Sequence, residues 1–390
     1  MTMTERAKQM IYADHAATTP ITDAVRAAME PYLTTAFGNA SAAYGAGRAA
    51  SRAILGARRR IASVLGCQPK ELYFTSGGTE SDNWALKGTA FAHHLRGHIA
   101  CSAIEHHAVL HSARFVNTLG MEVSQIPADT DGIVTADAVD AALRDDTCLA
   151  AVMLANNEIG TIQPISEIAR AVHERGSVLF CDAVQGMGQI PVDIPSLGAD
   201  LLSLSGHKLG APKGIGLLYV REGTPLTPLL DGGGQEMHMR AGTENVAAIV
   251  GLAQAIEDAA ALRGTDRLLA LRTRLTDGLC RIPGCIVNGT TEPGKRLPGN
   301  INVSFPGLDG ESMVLHLDRM GICASAASAC NAGESNPSHV LLAIGADDAR
   351  AISSLRFTLG AENTEEEIDT IIGAVEKIVN SLRTTGFADL

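Results

Sequence analysis

The chain has 390 residues, 46% of them hydrophobic, and a formal net charge of −12 at pH 7. That length supplies a sizeable core, enough for two domains or one large α/β unit with a smaller companion. The acidic balance, with Arg58-Arg59-Arg60 as its one basic run, excludes a dedicated nucleic-acid surface.

The N-terminus lacks a secretory apolar core, and no segment reaches the roughly 20 apolar residues that a membrane span requires. Eight cysteines are scattered without a C-x-x-C pair, which speaks against structural disulfides or a zinc site and for a reducing compartment. The expectation is a soluble, cytoplasmic protein that binds neither nucleic acid nor membrane.

In chain order, short apolar runs at 72–74, 148–154, 178–181, 201–204 and 215–220 read as strands, and the patterns at 80–92 and 165–174 read as helices. Strands joined by helix-length crossovers imply a mostly parallel sheet covered on both faces. In such sheets ligands gather at the carboxyl ends of the strands. Arg58-Arg59-Arg60 lies on the solvated face of a helix over 50–65, and Asp129-Thr130-Asp131-Gly132 is a turn, because the later ligands of a calcium loop are missing. The run 257–279 reads as one long helix. After it, 301–305, 356–359 and a helix over 364–382 build a smaller α+β domain. The predicted division is a large domain over 13–260 and a small one formed by 261–390 with residues 1–12.

Three places carry chemistry. Thr75-Ser76-Gly77-Gly78-Thr79-Glu80-Ser81 follows a strand and opens a helix, gathering free backbone N–H groups, hydroxyls and a positive helix end into a phosphate seat; a plain glycine turn is the alternative. Asp182 and Lys208 each follow a strand, and the two strand ends can be neighbours. Beside a phosphate seat this pair suits pyridoxal phosphate, with lysine for its aldehyde and aspartate for its ring nitrogen; a structural salt bridge is the alternative. Cys330 lies in a stretch, 324–338, without large apolar side chains and dense in turn formers. It is a candidate reactive thiol on an exposed loop, or else a small helix-packing residue. Cys323 reads as a buried strand residue, with a resolving thiol for Cys330 as the alternative, and Cys181 as packed opposite Asp182. His107 and His111 are one helical turn apart, but no further ligand pattern supports zinc.

These residues stand among further motifs: Tyr12-Ala13-Asp14-His15-Ala16-Ala17-Thr18-Thr19-Pro20, Glu105-His106, Asn156-Asn157-Glu158-Ile159-Gly160, Asp182-Ala183-Val184-Gln185, Ser205-Gly206-His207-Lys208, Gly232-Gly233-Gly234-Gln235-Glu236, Arg240-Ala241-Gly242-Thr243-Glu244-Asn245 and Ser353-Ser354-Leu355-Arg356-Phe357. Together they resemble the cysteine desulfurases of the NifS/IscS group, class V enzymes of fold-type I that use pyridoxal 5'-phosphate.

The resemblance implies an α/β fold, with a large, mostly parallel sheet domain of the seven-stranded type and a smaller α+β domain. It implies that Lys208 carries the cofactor, that Asp182 pairs with its ring nitrogen and Gln185 with its phenolic oxygen, and that His106 stacks on the ring. Gly78, Thr79, Ser205 and His207 match the phosphate cradle, which Thr243 completes from the other subunit of a homodimer. Asn157 lies near cofactor and substrate, and Arg356 grips the substrate carboxylate. Lys208 then takes the Cα proton of L-cysteine, Cys330 accepts the sulfur as a persulfide, His106 moves protons, and L-alanine leaves. The sulfur passes to an acceptor protein such as an iron–sulfur scaffold.

This chain departs from the family pattern at Ala40, Tyr44, His238, Ala327 and Asn331-Ala332. Rival readings within the fold are a selenocysteine lyase or a small-amino-acid aminotransferase. Outside it stand a cofactor-free acyl-transfer enzyme pairing Cys330 with His339 or His106, and a non-catalytic sulfur carrier.

Overall fold

The computed structural model describes residues 10–261, 266–326 and 337–385. Its strands, in chain order, are β1 (Ile11–Tyr12), β2 (Leu72–Thr75), β3 (His98–Ser102), β4 (Glu122–Ile126), β5 (Thr147–Ala151), β6 (Val178–Asp182), β7 (Leu201–Ser205), β8 (Gly216–Val220), β9 (Ile286–Val287), β10 (Asn300–Ser304), β11 (Ile322–Cys323), β12 (Ser325–Ala326) and β13 (Ser354–Thr358).

Seven of them form the main sheet in the order β2-β8-β7-β6-β5-β3-β4. All neighbours are parallel except β8, which runs antiparallel to both β2 and β7. Strands β3 and β5 to β8 are almost wholly buried because helices cover both faces, which is why β5 to β8 read as apolar runs; β3, His-Ile-Ala-Cys-Ser, was not read as a strand. In contrast, β4 is a half-exposed edge strand, Glu-Val-Ser-Gln-Ile, and shows no apolar run to mark it. The helix Gly78–Ala92 enters directly after β2 and buries Trp84, Ala85 and Leu86. Register fixes the site: Asp182 at the end of β6 lies opposite Ser203 on β7, and Ser205 at the end of β7 lies opposite Gly216 on β8.

A four-stranded antiparallel sheet, β12-β13-β10-β9, lies with its own apolar core beneath the helices Asp266–Cys280, Gly310–Arg319 and Glu365–Thr385. Strand β1 joins β11 in parallel, Tyr12 opposite Cys323, so the N-terminal segment packs with this second body. Val340, Leu341 and Ile344 return to the large core.

The expected helix over 257–279 is helical where it is described, in Val246–Ala261 and Asp266–Cys280, and residues 262–265 lie outside the described residues. The two helices serve different cores: Ile249, Leu252 and Ile256 pack with the main-sheet cluster, whereas Leu268, Leu271 and Leu275 pack with the second. Among the described residues no helix is long and apolar enough to cross a membrane.

Candidate active site

At the carboxyl end of the main sheet lies a cavity of ≈ 330 Å³. It brings together Gly78, Thr79, His106, Asn157, Asp182, Gln185, Ser205, His207, Lys208 and Arg356. Size does not single it out, since a groove of ≈ 840 Å³ runs between the helices Asp266–Cys280 and Glu365–Thr385. The charges in that groove are exposed, and Arg274 is paired with Asp369 and Glu365, whereas the smaller cavity holds buried charges converging from separate elements.

The first wall is the start of the helix Gly78–Ala92. Gly77 caps it at φ 154° and Gly78 faces the cavity. A Cβ on Gly78 would stand 3.0 Å from Val184 Cγ2 and 3.6 Å from Ser205 Cβ, so glycine keeps the helix end open to an anion. Outside it, Glu80 accepts from Ser76 N at 2.8 Å and from Arg240 Nε at 2.9 Å. This arrangement locks the turn and holds the Glu80 carboxyl below its ordinary pKa.

The second wall is the end of β7. Lys208 Nζ donates to the carbonyls of Ala16 at 2.5 Å and Ala17 at 2.8 Å. Gln185 Nε2 donates to the same Ala16 oxygen at 3.0 Å. Hence the segment Ala13-Asp14-His15-Ala16-Ala17 straps the lysine, a role that sequence reasoning did not assign although the motif was legible. His207 Nδ1 lies 3.2 Å from Thr18 Oγ1, and burial together with Lys208 and Lys213 pushes its ring down to about 4.

Asp182 accepts from Val184 N at 2.9 Å; burial pushes it up to about 6, against the pull of Lys208. Behind it, from the same helix as Gly78, Asp82 enters the cavity wall with Ser203 Oγ 2.7 Å from its Oδ1. Asp82 was missed; it lies one turn after Gly78 on the same helix face, and that i,i+4 relation is the signal that finds it.

His106 caps the helix His107–Thr118. Its Nδ1 accepts from Ala108 N at 3.1 Å, so the neutral ring carries its proton on Nε2. Burial first, then Lys208, pushes this imidazole down to about 4. Asn156 braces the adjoining loop, accepting from the amides of Glu158 and Ile159 and donating to Ile104 O. At the far side Arg356, on β13, pairs through Nη2 with Asp14 Oδ1 at 2.9 Å and donates through Nη1 to Asn157 O at 3.1 Å. Its Nε is buried without a partner among the described residues, a donor left over for a carboxylate.

Two predicted site residues stand apart. Thr243 is exposed and outside the cavity. Cys330, with Ala327 and Asn331-Ala332, lies outside the described residues. Of the described residues that flank this segment, Ser325 lines the cavity and donates to Asp14 Oδ2 at 2.9 Å, while His339 Nε2 lies 2.9 Å from Glu105 O. The rings of His107 and His111 are 5.1 Å apart, and those of His107 and His339 are 4.6 Å apart. Cys181 is fully buried and Cys323 half-buried.

The donor set fits pyridoxal phosphate: an amine on one strand end, a buried carboxylate on the next, a helix end that a Cβ would obstruct, and an unsatisfied guanidinium opposite. Together with the mixed, mostly parallel sheet, these features define a pyridoxal-phosphate enzyme of fold-type I. Residues 11–371 match the aminotransferase class-V family. The chain is 49% identical over 376 residues to the cysteine desulfurase IscS of Methanosarcina thermophila, covering 96% of this chain and 93% of the relative. Among solved structures it is similar to a NifS-like protein at TM-score 0.89 and 36% identity, over 96% of this chain and 100% of the other. It is also similar to SspA in complex with cysteine, at TM-score 0.80 and 35% identity, over 90% and 98%. The chain belongs to the class-V aminotransferase family and, within it, to the cysteine desulfurases of the NifS/IscS group. Membership brings pyridoxal phosphate as cofactor and cysteine desulfurase as activity.

Proposed function

We propose that the cavity takes L-cysteine, passes its sulfur to Cys330 as a persulfide and releases L-alanine. The reading rests above all on Lys208 and Asp182 at adjacent strand ends, facing a buried Arg356 with a spare donor. When bound, pyridoxal phosphate supplies an electron sink next to the substrate Cα.

With the cofactor bound, Lys208 would hold its aldehyde and would be the amine that takes and returns the substrate Cα proton. Asp182 would hold a proton on the cofactor's ring nitrogen, Gln185 would donate to its ring oxygen, and His106 would offer its imidazole with the proton on Nε2. Gly78, Thr79, Ser205 and His207 would hold its phosphate. Arg356, aimed by Asp14 and Asn157, binds the substrate carboxylate. Cys330 attacks as thiolate: its sulfur bonds to the substrate sulfur, the Cβ–S bond breaks, and its electron pair remains with the carbon that is protonated to alanine. No external oxidant enters this balance.

Thr243 serves the second copy of a homodimer. Support comes from the exposed apolar side chains Leu33, Phe37, Tyr44 and Met237, a set that water alone leaves unfavourably hydrated. The large domain takes 13–260 and the small one 1–12 with 261–390, of which Val340, Leu341 and Ile344 pack back into the large core. The persulfide passes in the cytoplasm to an acceptor protein thiol, such as that of an iron–sulfur scaffold.

The purified protein should show a visible cofactor band that shifts with L-cysteine and is lost in Lys208→Ala. Mass spectrometry should find one added sulfur on Cys330. Full-rate alanine release by Cys330→Ala would overturn the sulfur-transfer step.

A further inference from the structure

Two successive side chains of the strap serve different cavities. Asp14 holds Arg356 and Ser325, both of which line the main cavity. His15 instead lines a second cavity of ≈ 220 Å³, which shares Gln185 and Lys208 with the first. There its ring is held at both nitrogens: Nδ1 lies 2.9 Å from Thr358 O, and Nε2 lies 2.6 Å from Glu362 Oε1.

A carbonyl oxygen can only accept, and so can an ionised carboxylate. A neutral imidazole has one N–H, so one of the two contacts would set lone pair against lone pair; the imidazolium, with two, satisfies both. The alternative, a proton on Glu362, is disfavoured because that side chain is 58% exposed and water favours its anion. Burial lowers the His15 ring, but the Glu362 hydrogen bond and charge, the Thr358 carbonyl and Asp14 together raise it above its ordinary 6.5. The same hydrogen bond holds Glu362 below the ordinary carboxylate range. The other titratable groups around the ring are Tyr12, edge-on at 5.0 Å and kept un-ionised by burial, and, from the large domain, Lys208 and Asp258, one of each sign. Arg267 donates to the carbonyls of Ala361 and Asn363 on either side of Glu362.

Both contacts act on the backbone that the site depends on. Thr358 closes β13 two residues after Arg356, so the two side chains share a face of the strand. Thr358 Oγ1 accepts from Ala16 N at 2.8 Å, and Thr358 O accepts from His15 N at 3.1 Å as well as meeting the ring. The ring therefore ties the strap to the strand that carries Arg356. It does so between Asp14, which aims that arginine, and the Ala16 carbonyl, which receives Lys208.

We propose that His15 is a positioning residue for substrate binding: as an imidazolium spanning Thr358 O and Glu362, it clasps the strap onto the end of β13, holds Asp14 and Arg356 in place for the substrate carboxylate, and opens when it loses its proton. The proposal rests on the reading that Arg356 binds that carboxylate. A base whose folded-state value is raised keeps its contribution below its ordinary 6.5 and loses it as pH rises through the raised value. Affinity for L-cysteine should fall in that same direction.

The test is a 15N NMR titration of the histidine rings in the holoenzyme, beside pH profiles of KM and kcat. His15 is identified as the ring that Glu362→Gln, a change at an exposed position, displaces and that His15→Gln removes. The expected result is two protonated ring nitrogens, with a midpoint above 6.5 that Glu362→Gln moves to lower pH. KM should climb about tenfold through that midpoint, the scale of one lost hydrogen bond to a charged group. This limb should follow the midpoint in Glu362→Gln and vanish in His15→Gln, whose side-chain donor does not titrate. Its appearance in KM and not in kcat separates the aiming of Arg356 from a general loosening of the fold. A midpoint at or below 6.5, no ring displaced by Glu362→Gln, or a KM limb left whole in His15→Gln overturns the proposal. An unchanged KM in Arg356→Ala would overturn the substrate reading instead, and the midpoint would still decide the charge on His15.

Discussion

Arg356 reaches the cavity from β13 with Nη2 held 2.9 Å from Asp14 Oδ1, so one guanidinium ties the N-terminal strap to the small sheet. The strap is the same segment whose Ala16 and Ala17 carbonyls receive Lys208. Substrate carboxylate binding and lysine placement therefore share one piece of backbone. Arg356→Ala should raise KM for L-cysteine about a hundredfold, the loss expected of a bidentate charge-assisted contact. Asp14→Asn should raise it about tenfold while leaving cofactor binding in place, because the guanidinium stays but loses its aim. Steady-state alanine release and the visible band separate the two effects; an unchanged KM in Asp14→Asn would show that the pair does not aim Arg356.

Burial raises the Glu105 carboxyl to about 8 from its ordinary 4.5. A raised folded-state value means that the folded chain holds the proton more tightly than the unfolded one. Its contribution to stability is complete below about pH 4.5 and is lost as pH rises through about 8. Glu105→Gln keeps an oxygen for Ser102 and Met153 N but cannot ionise. The apoprotein should therefore melt higher than wild type at pH 9 and no higher at pH 5, by an amount on the order of a few kcal/mol at most. Calorimetry across that range checks it, and parallel curves would mean that Glu105 ionises normally.

Much of this site is legible in the sequence, for a physical reason. Asp182 and Lys208 follow apolar runs, and Gly77-Gly78 stands between a strand and a helix, so local pattern alone puts them at strand ends. Arg356 and Asn157 were placed by resemblance; their meeting across the cavity joins residues nearly 200 apart, and no local period encodes that. Asp82 was hidden because a polar residue inside a helix reads as solvent-facing, and only the packing of its helix on β7 buries it.

His106 should stay neutral over the working pH range. Its ring is pushed down to about 4, below the ordinary 6.5, by burial and Lys208. For a depressed base, the stability contribution is present above 6.5 and is lost as pH falls toward 4. An NMR titration of the apoprotein should show no His106 transition near 6.5, and kcat should carry no limb there that His106→Ala removes. The substitution itself should lower kcat by about 10²–10⁴ if the ring transfers a proton.

The exposed Phe37 and Tyr44, 78% and 64% accessible in one chain, should be covered in the dimer. Phe37→Asp with Tyr44→Asp should shift sedimentation from dimer to monomer and weaken cofactor retention, since Thr243 would then lack its counterpart site. A double variant that remains dimeric would place the interface elsewhere.

Gly216 on β8 gives a prediction that depends on backbone alone. A Cβ there would lie 2.6 Å from Gly77 Cα and 2.8 Å from Leu204 O, all main-chain atoms that cannot turn aside. Gly216→Ala should therefore push the Gly77 turn outward, lower stability by roughly 2 kcal/mol or more and weaken pyridoxal phosphate binding at least tenfold, because that turn forms the phosphate seat. Gly56, inside the helix Gly45–Leu65, has nothing within 4 Å of an added Cβ. Gly56→Ala removes backbone freedom from the unfolded chain without strain and should raise stability by about 0.5–1 kcal/mol. Thermal unfolding with and without added cofactor measures both variants. A Gly216→Ala protein that binds cofactor as wild type does would mean that the turn tolerates displacement and that the helix end is not what holds the phosphate.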